Sequence, residues 1–383
     1  MKRSCRLGGL LLALSLVFSL CVTPAGAAGP SMSNFKKQRT YYSSVFSDVK
    51  TSQWSYSVIK TCYEYGLMQG SGGKFNSNGT LTVAEALVMA DRVHQIYNTG
   101  ANTLTNGSPW YQPYVNYALS NGIISSGDFS SYTAKISRAD MAYVFSHALP
   151  ASQLGEIKTV NNIPDVNAAP YRDRSAIWML YRAGVLTGSD SYGTFKPNSY
   201  ITRQEAAAII ARIAIRSERR SDPLLQKVTD NVVTFGLPQT GAVKKTTSST
   251  GARMYSVEGG TRFVMNISTK SNSAFSGISL PSVLTAAQEK SIMEDRSNGS
   301  YLTNCVVTKV SFGGIQAYRS EGNFTSDSYS YSYPSLTYRF ISGTTLYGVT
   351  LIWLNGSVDK TLLSKVANSI AVNGNAASPA YVP

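Results

Sequence analysis

Residues from about Phe46 to Ala214 repeat one pattern three times, and a chain of diverged repeats must stack its units to close a core. Each unit opens with apolar residues at helical spacing: Trp54, Val58, Ile59 and Cys62 up to Gly66; Trp110, Tyr114, Val115 and Ala118 up to Gly122; Tyr171, Ile177 and Leu180 up to Gly184. The closing glycine suits the left-handed position just past a helix end. A polar turn follows, carrying Gly70, Gly127 or Gly188, with Gly193-Thr194-Phe195-Lys196-Pro197 in the third unit and a looser Gly73-Lys74-Phe75-Asn76 in the first. A second helix is predicted to start at a capping box in each unit: Thr82-Val83-Ala84-Glu85, Ser137-Arg138-Ala139-Asp140 and Thr202-Arg203-Gln204-Glu205. Apolar residues then continue at helical spacing, as in Leu87, Ala90 and Val93 or Ala206, Ile210 and Ile213.

Arg138 and Arg203 stand at the first helical position, where the helix dipole alone disfavours a cation. One reading is an anion docked at the helix start, met by unpaired amides and by a guanidinium fork that fits a carboxylate or phosphate. The other is an arginine that packs its stem over a neighbour and pairs with a surface acid. The residues alone leave both open.

The opening Asp-Val pairs (Asp48-Val49, Asp165-Val166), the aromatic helix, the glycine turn and the Thr-Arg-x-Glu cap together resemble the S-layer homology family. The resemblance covers roughly 170 of the 383 residues, and three tandem units are that family's usual set. It implies an all-α, pseudo-threefold trimer of repeats that binds secondary wall polysaccharide, often ketal-pyruvylated, in clefts between repeats. It implies Arg138 and Arg203 for the acidic sugar, Asp48 and Asp165 for sugar hydroxyls, Trp54 and Trp110 for stacking, and Gly70 and Gly188 for close backbone approach. Each has an alternative role: the tryptophans as core, the glycines as turn geometry, the aspartates as helix caps. Glu85, Asp140 and Glu205 are assigned to capping. Val83 replaces arginine in the first unit, the second has Gly107-Ser108-Pro109 where Asp-Val is expected, and the third has Tyr171-Arg172 in place of tryptophan. One or two clefts are therefore expected to bind, and weak sites linked on a polymer still give avidity.

The N-terminus reads as an export signal at 1–27: Lys2, Arg3 and Arg6, an apolar run from Gly8 to Cys21, then Ala25-Gly26-Ala27 for cleavage. No later stretch approaches the roughly 20 apolar residues of a membrane helix, so the mature chain is expected to be soluble, secreted and not membrane-spanning. Cleavage leaves Cys62 and Cys305, expected as two buried free thiols, and no cysteine cluster for a metal. The full chain carries +14, and loss of Lys2, Arg3 and Arg6 leaves about +11. Outside the cytoplasm that charge favours acidic partners at the envelope, such as wall polymers or lipid headgroups, and not nucleic acid; the alternative is that it only keeps the chain soluble.

The boundaries expected are 28–45 as an N-terminal linker, repeats at 46–100, 101–155 and 156–216, a connector at 217–251, a C-terminal domain at 252–375 and a tail at 376–383. Alternation in Phe263, Met265 and Ile267, further strand patterns from Cys305 to Leu354, and helical stripes at Ala286 to Asp295 and through Val358, Leu362, Leu363, Val366 and Ile370 predict a small α+β sandwich. The ending, strand then helix then Ile-Ala-Val, resembles PsbP-like and related small lipoprotein domains. Both histidines, His94 and His147, lie in the repeats, so neither a Ser-His-Asp arrangement nor a histidine-based zinc site can be built in the C-terminal domain. Glu258, Glu289, Glu294, Asp295, Glu321, Asp327 and Asp359 remain for a carboxylate pair, and nothing in their spacing singles out two. Tyr329, Tyr331 and Tyr333 would share one face of an extended segment, as a sugar or partner platform or as a sheet surface or lid. The expectation is a wall-binding module without catalysis, cofactor or metal. The rival is a wall-anchored enzyme using C-terminal carboxylates. Oligomeric state stays open.

Overall fold

The structure, a computed structural model, describes residues 29–258, 263–354 and 359–382, without the side chains of 329–331. The export signal at 1–27, Val358 of the helical stripe and the side chains of Tyr329 and Tyr331 lie outside the described residues. The repeats form three helix pairs: α1 (Tyr56–Glu64) with α2 (Val83–Thr99), α3 (Gln112–Ser120) with α4 (Arg138–Ser146), and α5 (Tyr171–Arg182) with α6 (Arg203–Ala214). Gly66, Gly122 and Gly184 each follow the first helix of a pair at φ +70°, the left-handed stop that the glycine spacing predicts. Thr82 and Thr202 cap α2 and α6 with reciprocal bonds to Glu85 and Glu205, and the Ser137 hydroxyl accepts from the Asp140 amide at 3.1 Å.

The extended residues before each cap join the repeats in a closed circuit. Bridges pair Thr82 with Lys135, Ser137 with Tyr200 and Thr80 with Thr202. The first two amides of each second helix are consumed by a neighbouring repeat. Arg138 N donates to Ser199 O at 2.9 Å and Ala139 N to Pro197 O at 3.0 Å; Arg203 N donates to Gly79 O at 2.9 Å and Gln204 N to Ser77 O at 3.0 Å. Val83 N and Ala84 N likewise donate to Ala134 O and Tyr132 O. The expectation of unpaired helix-start amides facing an anion is corrected here: those donors close the fold.

The second half is a single antiparallel sheet. Its strands are β1 (Leu225–Asp230), β2 (Val233–Pro238), β3 (Val243–Thr247), β4 (Arg253–Val257), β5 (Phe263–Ser271), β6 (Ser300–Phe312), β7 (Ile315–Ser326), β8 (Tyr329–Ser342), β9 (Thr345–Trp353), β10 (Ala371–Val372) and β11 (Asn375–Ser378). Their order is β1-β2-β10-β11-β6-β7-β8-β9-β5-β4-β3. The hairpins turn at residues that accept positive φ, Gly313-Gly314 between β6 and β7 and Asn373-Gly374 between β10 and β11. The sheet curls until its two ends face each other. Arg253 of β4 and Tyr255 of β4 both donate to Asp230 of β1, at 2.5 and 2.6 Å, and Phe235 of β2 meets the Tyr255 ring edge-on. Its inner face buries Val233, Phe235 and Leu237 with Phe263, Met265, Ile267, Tyr338, Phe340, Val349 and Leu351, alternating as a one-sided strand requires. Helix α9 (Lys360–Asn368) closes that core through Val366 and Ala367, while α7 (Leu280–Val283) and α8 (Ala286–Met293) cover part of the outer face at Tyr318 and Ile341.

The expected fold class, an all-α pseudo-threefold trimer followed by a small α+β sandwich, is therefore wrong. The described residues form nine helices and one large curled antiparallel sheet of eleven strands, a mixed molecule. The sheet escapes a sequence reading because its outer faces are polar. Strand β3 is exposed along most of its length, and Lys244, Lys245, Thr246 and Thr247 read as linker until β4 pairs with them. Three strands, β1 to β3, fall within the stretch 217–251.

Cys62 and Cys305 are both free and buried, and burial raises both thiols above their usual value. Two hydrophobic cores meet at one peptide bond. Leu224 packs in the core of the repeats and Leu225 in that of the sheet. Around this seam Gln239, 1% exposed, accepts from Asn161 N and Asn162 N at 3.1 and 3.0 Å and donates to Asn162 O and Leu225 O. Lys365 of α9 pairs with Asp222 at 3.0 Å, and Leu225 N bonds Ser191 O in the turn of the third repeat.

Candidate functional site

Two alike clefts open between the repeats. Cleft A, about 220 Å³, brings together Trp54, Arg138, Gly188, Glu205 and Arg212. Cleft B, about 210 Å³, brings together Trp110, Arg203, Gln69, Glu85 and Arg92. Each draws on all three repeats: the ring from one, the cap arginine from a second, the turn and cap acid from the third.

The cap arginines are fixed from below. Arg138 Nε donates to Phe195 O at 2.7 Å and its guanidinium lies over the Phe195 ring; Arg203 Nε donates to Phe75 O at 2.8 Å and lies over Phe75. Arg138 Nη1 pairs with Glu205 at 2.9 Å, whereas Arg203 stands 3.8 Å from Glu85 and donates to Gln69 O at 2.8 Å. Both are engaged internally, yet each still lines an open hollow, with side chains 10% and 15% exposed. Burial is the main influence on Arg203 and lowers its pKa.

Asp48 and Asp165 hold the same turns from the far side. The two carboxylate oxygens of Asp48 accept from Phe75 N and Asn76 N at 2.8 and 2.7 Å, and those of Asp165 accept from Phe195 N and Lys196 N at the same distances. Each aspartate thus reaches a cap arginine through a phenylalanine peptide. Gly188 has φ +78°, and a Cβ there would lie 2.6 Å from Gly193 Cα; a Cβ on Gly70 would collide with Lys74 O and the Phe46 ring. Trp54 and Trp110 are 61% and 40% exposed.

The third inter-repeat space differs in kind. Where the other units place tryptophan, Arg172 enters, and it pairs with Asp140 at 2.6 Å, Asp173 at 2.8 Å and Asp128 at 3.3 Å while covering the Tyr143 ring. With Val83 in place of the cap arginine, the local cation comes from a different element and is answered by three acids. The adjoining cavity, about 740 Å³, contains both His94 and His147. His94 Nδ1 contacts Tyr117 Oη at 2.8 Å, and burial lowers its pKa.

Sequence reasoning missed Arg92 and Arg212. Each follows its cap acid, Glu85 or Glu205, by seven residues, two helical turns along the same face. That offset is the signal that finds them; in the second repeat the same place, just past α4, is His147.

An exposed ring, a guanidinium and a close-packed glycine turn, drawn from three units and repeated twice, define a binding module built of repeats. Residues 45–87 and 162–207, within the first and third repeats, match the S-layer homology domain model. Such domains imply association with the cell wall or cell surface, by binding of cell-wall polymers. The chain is 31% identical over 117 residues to the surface-layer 125 kDa protein of Lysinibacillus sphaericus, 27% of this chain and 10% of that one. It is 28% identical over 122 residues to an amylopullulanase of Thermoanaerobacterium thermosulfurigenes, 29% of this chain and 7% of that one. It is 26% identical over 216 residues to an endoglucanase of Bacillus sp. (strain KSM-635), 53% of this chain and 22% of that one. The chain thus spans less than a quarter of the length of each of these relatives. The solution structure of cyanobacterial PsbP from Synechocystis sp. PCC 6803 aligns at TM-score 0.30 and 15% identity, covering 39% of this chain and 92% of that one, too low a likeness to carry an argument. Among the described residues no helix is long and apolar enough to cross a membrane.

Proposed function

We propose that the chain is a secreted surface protein held non-covalently on an anionic secondary wall polysaccharide, a pyruvylated one by the family resemblance, through clefts A and B, and that it displays the sheet domain there. The observation that carries this reading is the twofold occurrence of one constellation: Trp54 with Arg138 and Gly188, Trp110 with Arg203 and Gly70 at the turn that gives Gln69. A half-exposed indole offers a face for a sugar ring, and the cap guanidinium borders the place where an acid group would sit. Asp48 and Asp165 contribute by fixing the turn on which each arginine rests. The third space, its arginine balanced by acids, contributes little to an anion. Two linked weak sites on one polymer give avidity that neither gives alone.

The full secreted chain should co-sediment with sacculi of the producing bacterium, and added salt should weaken the association. The double change Arg138→Ala with Arg203→Ala should release it with helix content unchanged by circular dichroism. Undiminished sedimentation of that variant would refute the role.

We read the sheet domain as non-catalytic. Four of its seven candidate carboxylates already have structural work: Glu289 is buried against Arg339 at 2.7 Å, Glu321 pairs with Arg319, Asp295 takes Ser297 N and Oγ, and Asp359 caps α9. Turnover of wall glycan or ester and glycoside reporters by the full chain, abolished by one carboxylate substitution, would overturn this.

A further inference from the structure

The cap arginines do not by themselves give either cleft a net positive charge. In cleft A the charge of Arg138 is answered by Glu205 at 2.9 Å, and in cleft B Arg203 faces Glu85 at 3.8 Å. The helix-start amides are also unavailable, because the first two in each helix bond to a neighbouring repeat. Each cleft nevertheless contains a second guanidinium. Arg212 in cleft A and Arg92 in cleft B make no ion pair within 4.0 Å among the described residues. Their anchorage is the same in both: Arg92 Nη1 donates to Leu67 O at 3.3 Å and Arg212 Nη1 to Val185 O at 3.1 Å, each the carbonyl just past the glycine that ends the first helix. Arg92 Nε is buried with no hydrogen-bond partner.

The geometry points to Arg92 and Arg212 as the direct anion-binding groups of clefts B and A, each adding a guanidinium without an ion-pair partner that meets the acid group of the wall saccharide, while Arg138 and Arg203 shape the wall beside it. This rests on the anchoring reading and names the residues that take the anion in it. An unpaired cation held away from water is costly unless an anion joins it. Burial lowers the pKa of both groups; for Arg92 repulsion from Arg39 and Arg203 adds to it against an opposing influence of Tyr114, and for Arg212 repulsion from Arg220 adds to it against the pull of Glu218 and Asp222. Bringing in a saccharide carboxylate or phosphate beside the cleft-lining guanidinium offsets the cost of its burial and, in cleft B, relieves that repulsion. The third space obeys the same rule in reverse. At the equivalent position it has His147, and Arg172 there faces Asp128, Asp140 and Asp173, so acids exceed cations.

The test is co-sedimentation of the full secreted chain with sacculi of the producing bacterium, titrated at low and physiological salt. Arg92→Gln with Arg212→Gln should weaken binding at least tenfold and flatten its salt dependence, with the thermal midpoint and helix content of the parent. Arg92→Lys with Arg212→Lys, which keeps the charge and loses the fork, should recover part of the affinity and restore the salt dependence. His147→Gln should bind as the parent does. A glutamine double variant with parental affinity and salt dependence sinks the inference and leaves the anchoring reading standing, as does a His147→Gln variant weakened as much as the arginine pair. A parent chain that fails to sediment at all sinks the anchoring reading itself.

Discussion

Asp91 lies fully buried in α2, and neither of its carboxylate oxygens has a hydrogen-bond partner among the described residues. Burial pushes its pKa up to about 8. An unfolded aspartate titrates near 4, so between about pH 4 and 8 the folded chain keeps a proton that the unfolded chain has released. The stabilising contribution of the protonated group is complete below the unfolded value and is lost as pH rises through about 8. Urea denaturation at pH 5 and pH 8 should show the parent weaker at the higher pH, and Asp91→Asn should remove most of that difference. Nothing in the local sequence marks Asp91, because the property arises from what packs around it. The exposed positions of Trp54 and Trp110 are equally silent in sequence, where the same residues at helical spacing read as core just as well.

The legible elements are those specified by short-range chemistry. Capping boxes at Thr82 and Thr202 and glycine stops at Gly66, Gly122 and Gly184 sit where their spacing places them, because both motifs bond within a few residues. The fate of the first-turn amides depends on loops 48 to 127 residues away, which no local pattern encodes. For the same reason β7 and β8, rich in serine, threonine and tyrosine, gave only fragments of strand signal until their partners were known. Glu205 serves two elements at once, capping α6 through Thr202 and pairing with Arg138 across the cleft. Thr202→Ala should therefore cost about 1 kcal/mol in urea denaturation. It should also weaken sedimentation with sacculi, since Glu205 then loses the hydroxyl that orients it.

At the scale of the whole molecule the two halves share a seam, and its centre is a glutamine. Gln239 bonds Asn161 and Asn162 of the third repeat as well as Leu225 of β1. Gln239→Ala leaves several buried amides and carbonyls unpaired, at about 1–3 kcal/mol for each group left without a partner. Calorimetry should resolve two separated transitions in that variant where the parent shows one. The turn from Gly188 to Phe195 has two flanks with different duties. Gly188 borders cleft A, while Ser191 accepts from Leu225 N, Tyr192 packs on the core of the sheet and Gly193 abuts Leu224. Under the anchoring proposal, cargo and mooring are thus joined without a slack leash, and a tug on the sheet domain would be carried to cleft A through this turn.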